Sequence, residues 1–289
     1  MSKKTTTNTY IQKKGLNRNT TDKFYTKNEI VKICVDKIIE NLDINKDDLI
    51  IEPSAGNGAF INEIKKLSNN YKFFDIEPDN KEIKKKDYLT IDSEKYKKNY
   101  ENIHIIGNPP FGRQSSTAIK FIKKSCEYSN SISFILPKSF KKDSMKNYFD
   151  KYFHLIFEMD LPQKSFLCNK NEYDVPCVFQ IWQKKDNERN IQKKIEPNKF
   201  SFVKKNDSPD ISFRRVGVYA GNISKEILDK SIQSHYFIKF DDTQKIKDKD
   251  EKIDEIIDKL KNINFQTNNT VGPKSISKQE IIKEFNNIL

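Results

Sequence analysis

The chain has 289 residues, enough for one full hydrophobic core with room for an appendage. Its 53 Lys and Arg against 41 Asp and Glu leave a formal charge of +12, which points to a polyanionic partner. A coding bias toward Lys, Asn and Ile produces a surplus of the same kind. The sequence argues against a transmembrane span or secretory leader: no run of about eighteen apolar residues occurs, and the N-terminal MSKKTTTNTY lacks an apolar stretch.

Residues 1–22 are polar, with Lys3, Lys4, Lys13, Lys14 and Arg18 opposed only by Asp22, and predict a disordered basic tail, either idle or contacting phosphates. Thr26 is placed to cap a helix in which Ile30, Val31, Cys34, Val35 and Ile38 recur at helical spacing. A short apolar strand, 49–51, then leads through Glu52 into a glycine-containing turn. Phe60, Ile61, Ile64 and Leu67 mark the next helix. A strand over 71–76 ends in acidic residues, and a helix-poor stretch through Asp87 precedes a buried strand at 103–107. The spacing next predicts a helix at 117–128, a strand at 131–136 and a helix at 144–152. Two strands follow, 154–160 and 175–182, with only the loop 161–174 between them.

Strands alternating with helices imply a doubly wound α/β domain with a mostly parallel seven-stranded sheet covered on both faces. The last two strands are expected to close it as an antiparallel hairpin at the edge. This unit should span 23–183, followed over 184–289 by a basic linker and a small C-terminal region for substrate recognition or packing. There, 184–210 is polar and basic, and 211–240 has short apolar runs and the pair Arg214 and Arg215. Ile253, Ile256, Ile257 and Leu260 form the apolar face of an amphipathic helix. Gly272-Pro273 breaks the chain before a final helix. Cys34, Cys126, Cys168 and Cys177 show no CxxC pair and no His at zinc-finger spacing. They read as reduced thiols, so no metal and an intracellular location, cytoplasmic or nuclear, are expected.

Three strand ends carry chemistry. The first is Glu52-Pro53-Ser54-Ala55-Gly56-Asn57-Gly58-Ala59-Phe60, between a buried strand and a helix. Gly56 and Gly58 would let backbone approach a ligand at the carboxyl end of the sheet. Such a turn alone also suits a dinucleotide, but the third glycine of that fingerprint is replaced by Ile61. Glu52 puts a carboxylate at the mouth, which suits the sulfonium and amino group of S-adenosylmethionine better than a phosphate. The second is Asp75-Ile76-Glu77, where a carboxylate can accept both ribose hydroxyls of a nucleoside; an ordinary acidic turn before Pro78 is the plain alternative.

The third is Asn108-Pro109-Pro110-Phe111, at the exit of a buried strand. Two prolines stiffen this turn so that its carbonyls can face a ligand. An exocyclic amine on a purine is a poor nucleophile because its lone pair is delocalised into the ring. The Asn108 side-chain oxygen and the Pro109 carbonyl can each accept one of its N–H bonds, freeing the lone pair and stabilising positive charge in the transition state. Phe111 offers a flat face to a base taken out of its stack.

Together these residues resemble the amino-methyltransferases of nucleic acids, above all the γ-type adenine-N6 enzymes, over roughly residues 24–183. The resemblance implies a Rossmann-like class I methyltransferase fold and S-adenosylmethionine as cofactor. It places Phe24, Tyr25 and Thr26 against the methionine moiety, Asp75 on the ribose, and Asp87, in Asp87-Tyr88-Leu89, on the adenine amine. Phe166 stands where a second aromatic residue packs on the flipped base, with core packing as the alternative. No cysteine follows a proline at the Asn-Pro-Pro position, which excludes cytosine-C5 chemistry.

The substrate is expected to be DNA or RNA. Arg113, Lys120, Lys123, Lys124, Lys138, Lys141, Lys142 and Lys146, opposed by Glu127 and Asp143, follow the catalytic strand ends, and 184–205 adds a second basic cluster. Arg113, Arg214 and Arg215 are candidate contacts. Glutamine-N5 methylation of protein, which shares Asn-Pro-Pro, and an inert methyltransferase-fold subunit stand as alternatives, and a partner subunit is left open.

Overall fold

The computed structural model describes residues 24–168, 171–191, 194–241, 248–265 and 274–289. The basic tail and the Gly272-Pro273 break expected from the sequence lie outside them. Strand β1 (Tyr25–Thr26) precedes α1 (Asn28–Asn41), which buries Ile30, Val31, Cys34, Val35 and Ile38 along one face. The helix starts later than the sequence suggests. Thr26 belongs to the strand, and Lys27, extended and without a side-chain cap bond, takes the cap position.

β2 (Leu49–Glu52) is buried at every position, as a central parallel strand covered on both faces must be. Then come α2 (Ile61–Leu67), β3 (Asn70–Asp75), β4 (Lys84–Lys85), α3 (Ser93–Asn99), β5 (Ile103–Gly107), α4 (Ser116–Cys126), β6 (Ser131–Pro137), α5 (Asp143–Lys146) and β7 (Phe153–Asp160). The helix expected over 144–152 stops at Lys146. The Arg189 guanidinium donates to the carbonyls of Lys146 (3.1 Å), Phe149 (2.9 Å) and Phe153 (2.9 Å), so it satisfies acceptors around a turn instead of a continuing helix.

β8 (Phe166–Cys168), β9 (Asn171–Tyr173) and β10 (Cys177–Lys184) complete this part of the chain. The main sheet has seven strands in the order β4-β3-β2-β5-β6-β10-β7. β4 through β6 run parallel, and β10 is antiparallel to both of its neighbours. The expected antiparallel pair therefore exists, but β10 sits inside the sheet and β7 forms the edge. Apolar clusters cover both faces, one including α1 and α2 residues and the other α4 residues. The segment 161–174, expected as a loop, contributes β8 and β9 to a second sheet of order β1-β8-β9, with Tyr25 opposite Leu167 and Thr26 opposite Phe166.

Beyond residue 199, β11 (Phe200–Val203), β12 (Ile211–Arg214), β13 (Ile223–Ser224) and β14 (His235–Phe240) form an antiparallel sheet of order β11-β14-β12-β13. α6 (Lys249–Leu260) buries Ile253, Ile256, Ile257 and Leu260. α7 (Lys278–Ile288) opens with a capping box between Ser277 and Glu280. These elements share an apolar cluster of their own. Lys142, after β6, ties it to the main sheet through the Ser275 carbonyl (2.9 Å) and Glu280 (3.1 Å). Among the described residues no helix is long and apolar enough to cross a membrane.

Candidate active site

The carboxyl ends of β2, β3 and β5 converge under β1, and backbone geometry explains how. Gly107, the last residue of β5, has φ +151°, and a Cβ there would lie 3.2 Å from Cγ of Glu52 and 3.6 Å from Cδ of Pro53. Its lack of a side chain lets the Glu52 carboxyl lie across the end of the neighbouring strand. Glu52 is 2% exposed and its Oε2 has no hydrogen-bond partner. Burial, and then the nearby charge of Asp75, pushes its pKa up to about 8.

The next residues knit the strand ends together. The Ser54 hydroxyl donates to the Asn108 carbonyl at 3.0 Å. The Ala55 N–H donates to the Phe74 carbonyl at 2.8 Å, and the Gly56 N–H to Asp75 Oδ2 at 2.8 Å. Asp75 Oδ1 accepts the Glu77 N–H at 2.8 Å, so this carboxylate organises both turns. Gly56 has φ +55°, and a Cβ there would meet Cε1 of Tyr25 at 3.0 Å. The space over Gly56 thus holds the Tyr25 ring, whose hydroxyl donates to Asp79. Burial and the Asp79 carboxylate both raise the Tyr25 pKa.

At the end of β5, Asn108 Nδ2 donates to Oγ1 of the buried Thr26 at 3.2 Å, while Asn108 Oδ1 is buried with no partner. Pro109 is buried and Pro110 exposed. Phe111 is half-buried against both apolar clusters, and its carbonyl accepts the N–H groups of Thr117 (3.1 Å) and Ala118 (3.3 Å) in the first turn of α4. The helix therefore holds the aromatic residue in place.

Of the residues singled out in the sequence, Tyr25, Thr26, Glu52, Pro53, Ser54, Ala55, Gly56, Asp75 and Asn108 come together here. Phe24 lies beside them, its ring 5.1 Å from that of Tyr173. Ile76 is 63% exposed just past the strand end. Others have structural contacts of their own, although Gly58 shares the turn of Gly56 and Asp87 follows Lys86, whose N–H donates to the Asp75 carbonyl at 2.8 Å. Gly58, at φ +87°, makes room for Ile61 and Asn80, and Phe60 is 1% exposed in the core. Asp87 is exposed, its carboxylate capping the turn 88–90 through the Leu89 N–H. Tyr88 is 1% exposed, with its hydroxyl between Ser125 and Tyr128, both at 2.8 Å, so its ring packs the core and does not line a pocket. Phe166 is likewise 1% exposed, inside the cluster packed by α1, as the core-packing alternative expects.

Arg113 is exposed on the turn before α4. Arg214 donates to the Val216 carbonyl at 3.1 Å, and Arg215 donates to the Gln233 carbonyl at 2.8 Å and lies over the Tyr236 ring. Most of the basic cluster after β5 is locally neutralised. Lys138 and Lys141 pair with Asp160, Lys142 with Glu280, Lys146 with Glu158, and Lys124 with Glu127. Only Arg113, Lys120 and Lys123 of that cluster lack a carboxylate partner among the described residues.

The family model for the EDM2 methyltransferase-like domain matches residues 44–197, over half of the chain. The chain belongs to this family. The matched span holds Glu52, Asp75 and Asn108 through Phe111, and starts beyond Tyr25 and Thr26. Among curated proteins, the chain is 26% identical over 284 residues to the ribosomal RNA small subunit methyltransferase A of Mycoplasma capricolum subsp. capricolum, covering 91% of this chain and 96% of that protein. The protein of the same name from Mycoplasma mycoides subsp. mycoides SC is 25% identical, with the same coverage. Among solved structures, an rRNA methylase from Streptococcus thermophilus superposes with a TM-score of 0.36 at 16% identity, covering 53% of this chain and 94% of that one.

Thr26, placed at the site by resemblance, anchors Asn108 through a bond the sequence does not show, and Gly107 has a part that the sequence reading does not assign. A glycine immediately before Asn-Pro-Pro is the available signal for the second. The first has no local signal, since it depends on β1 folding back over β5.

Proposed function

We propose that this chain transfers a methyl group from S-adenosylmethionine to the exocyclic amine of adenine, N6, in RNA. The observation that carries the reading is Asn108: its amide nitrogen is occupied by Thr26 while its oxygen is buried and unpartnered. A buried acceptor left open at the end of a parallel strand is costly unless a donor arrives. An exocyclic amine is such a donor.

S-adenosylmethionine fits the residues present. Glu52 Oε2 is a second buried, unpartnered acceptor, suited to the amino group and sulfonium. Asp75 retains acceptor capacity for ribose hydroxyls beyond the two N–H bonds it takes. When bound, the cofactor supplies an electrophilic methyl group. Asn108 Oδ1 and the Pro109 carbonyl accept the amine's hydrogens and free its lone pair, Phe111 holds the base by its face, and the extra proton leaves to solvent after transfer. RNA is favoured over DNA because the curated relatives are named ribosomal RNA methyltransferases.

The test is incubation with labelled cofactor and separate RNA, DNA and protein pools, followed by nucleoside and amino-acid mass spectrometry. N6-methyladenosine in the RNA pool is expected. Methylglutamine in the protein pool, or cofactor binding with no transfer to any pool, would replace this reading with the protein-methylating or inert alternative.

A further inference from the structure

Away from the strand ends, the four-stranded sheet carries a groove of about 460 Å³ lined by Phe202, Lys204, Lys205, Ile232, Tyr236 and Lys278 among others. The Phe202 and Tyr236 rings meet edge to face, centroids 5.6 Å apart at 72°. Cations cover them: the Lys278 ammonium is 4.6 Å from the Phe202 centroid and 5.7 Å from that of Tyr236, and the Arg215 guanidinium is 5.2 Å from the latter. None of Lys204, Lys205, Arg215 or Lys278 has a carboxylate partner among the described residues, in contrast to the lysines after β6. Lys205 is held by the carbonyls of Leu228 (2.7 Å) and Lys230 (2.9 Å). The groove is thus both apolar and strongly positive.

We infer that this groove binds single-stranded RNA, with a base stacked on Tyr236 or Phe202 and the adjoining phosphates on Lys204 and Lys278. Aromatic faces stack any base, and a channel of unpaired lysines follows a phosphate backbone. A duplex keeps its bases stacked on one another and offers the rings none. Phe202 and Tyr236 are half-buried, each with a ring face under the Lys278 ammonium; such a cation–ring contact is weak, so an entering base can displace Lys278 toward its own phosphate.

The placement also suits the proposed activity, on which this inference rests. Ser275 and Glu280, on either side of Lys278, are bonded to Lys142, just after β6, and β6 is the neighbour of β5, which leads into Asn108. A strand held in the groove is therefore anchored beside the catalytic face of the sheet.

The experiment measures fluorescence anisotropy of a labelled twelve-nucleotide single-stranded RNA, and of its duplex, over a range of salt. Wild type is compared with Tyr236→Leu and with the double variant Lys204→Gln/Lys278→Gln, with melting curves to verify folding. The single strand should bind more tightly than the duplex. The double variant should bind it at least tenfold more weakly, with a salt slope shallower by about 1.4, as expected when two phosphates of a single strand are no longer neutralised. Tyr236→Leu should weaken binding without changing the slope. Cofactor affinity should be unaltered in all, and the loss should appear in the RNA KM with kcat retained. Wild-type affinity in both variants, or tighter binding of the duplex, overturns the groove assignment while leaving RNA methylation by the wild type standing. A wild type that binds cofactor but neither binds nor methylates RNA overturns both.

Discussion

The Asn108 amide nitrogen donates to the Thr26 hydroxyl across 82 positions of sequence, at 3.2 Å. That bond orients the amide, leaving its oxygen as the open acceptor. Asn108→Ala should lower turnover by about three orders of magnitude, as loss of a transition-state acceptor does, with cofactor affinity within several-fold. Thr26→Val keeps the shape but removes the anchor, so a drop in kcat of about tenfold is expected, the size of one hydrogen bond. Single-turnover rates and calorimetric cofactor titration check both. Unchanged chemistry in Asn108→Ala would remove the residue from the mechanism.

Glu52 should make the free protein sensitive to alkali. Its folded pKa, about 8, is raised from an ordinary 4.5 by burial and then by Asp75. The stability it contributes is therefore complete below pH 4.5 and lost as pH rises through about 8. Glu52→Gln should melt above wild type at pH 8 and converge with it near pH 4.5. A cationic cofactor needs the carboxylate, so wild-type affinity should rise across pH 7 to 9 while that of Glu52→Gln stays low and flat. Melting curves and calorimetry across this range decide; the same slope in both proteins would mean another group titrates.

Phe166 distinguishes a core residue from a base-binding one. Phe166→Ala should destabilise the protein by about 3–5 kcal/mol, the usual effect of truncating a buried aromatic. Chemical denaturation would reveal this without any substrate. A variant as stable as wild type but with a raised RNA KM would restore the base-stacking role.

His104 sits at the opposite end of β5 from the Asn108 turn. Its Nδ1 and Nε2 lie 2.7 Å from the Ser131 hydroxyl and 3.2 Å from Asp48. Burial lowers its pKa from 6.5, against the opposing pull of Asp48, so the ring is neutral near pH 7 and the Asp48 contact is a hydrogen bond more than an ion pair. A depressed folded pKa places its contribution above pH 6.5 and removes it as pH falls below that value. His104→Gln should flatten the fall in stability as pH drops below 6.5, followed by thermal melts, and leave cofactor affinity unaltered. A wild-type acid profile in the variant would count against a neutral buried ring.

Local signals were enough for the parallel sheet, for most of the strands and helices that build it, and for the carboxyl-end cluster of Glu52, Asp75 and Asn108. Each rests on a short apolar run ending in a turn that holds the candidate site residues, so neighbouring positions carry the information. Tertiary structure decided what depends on residues far apart in the chain. It paired β1 with β8, which buried Phe166 and laid Thr26 beside Asn108. It filled the space over Gly56 with the Tyr25 ring and put Gly107 under Glu52. It turned Tyr88 into the core. It neutralised the lysines after β6 and left uncompensated charge around Tyr236, a distribution that composition cannot register because pairing depends on which side chains the fold brings within a few ångströms.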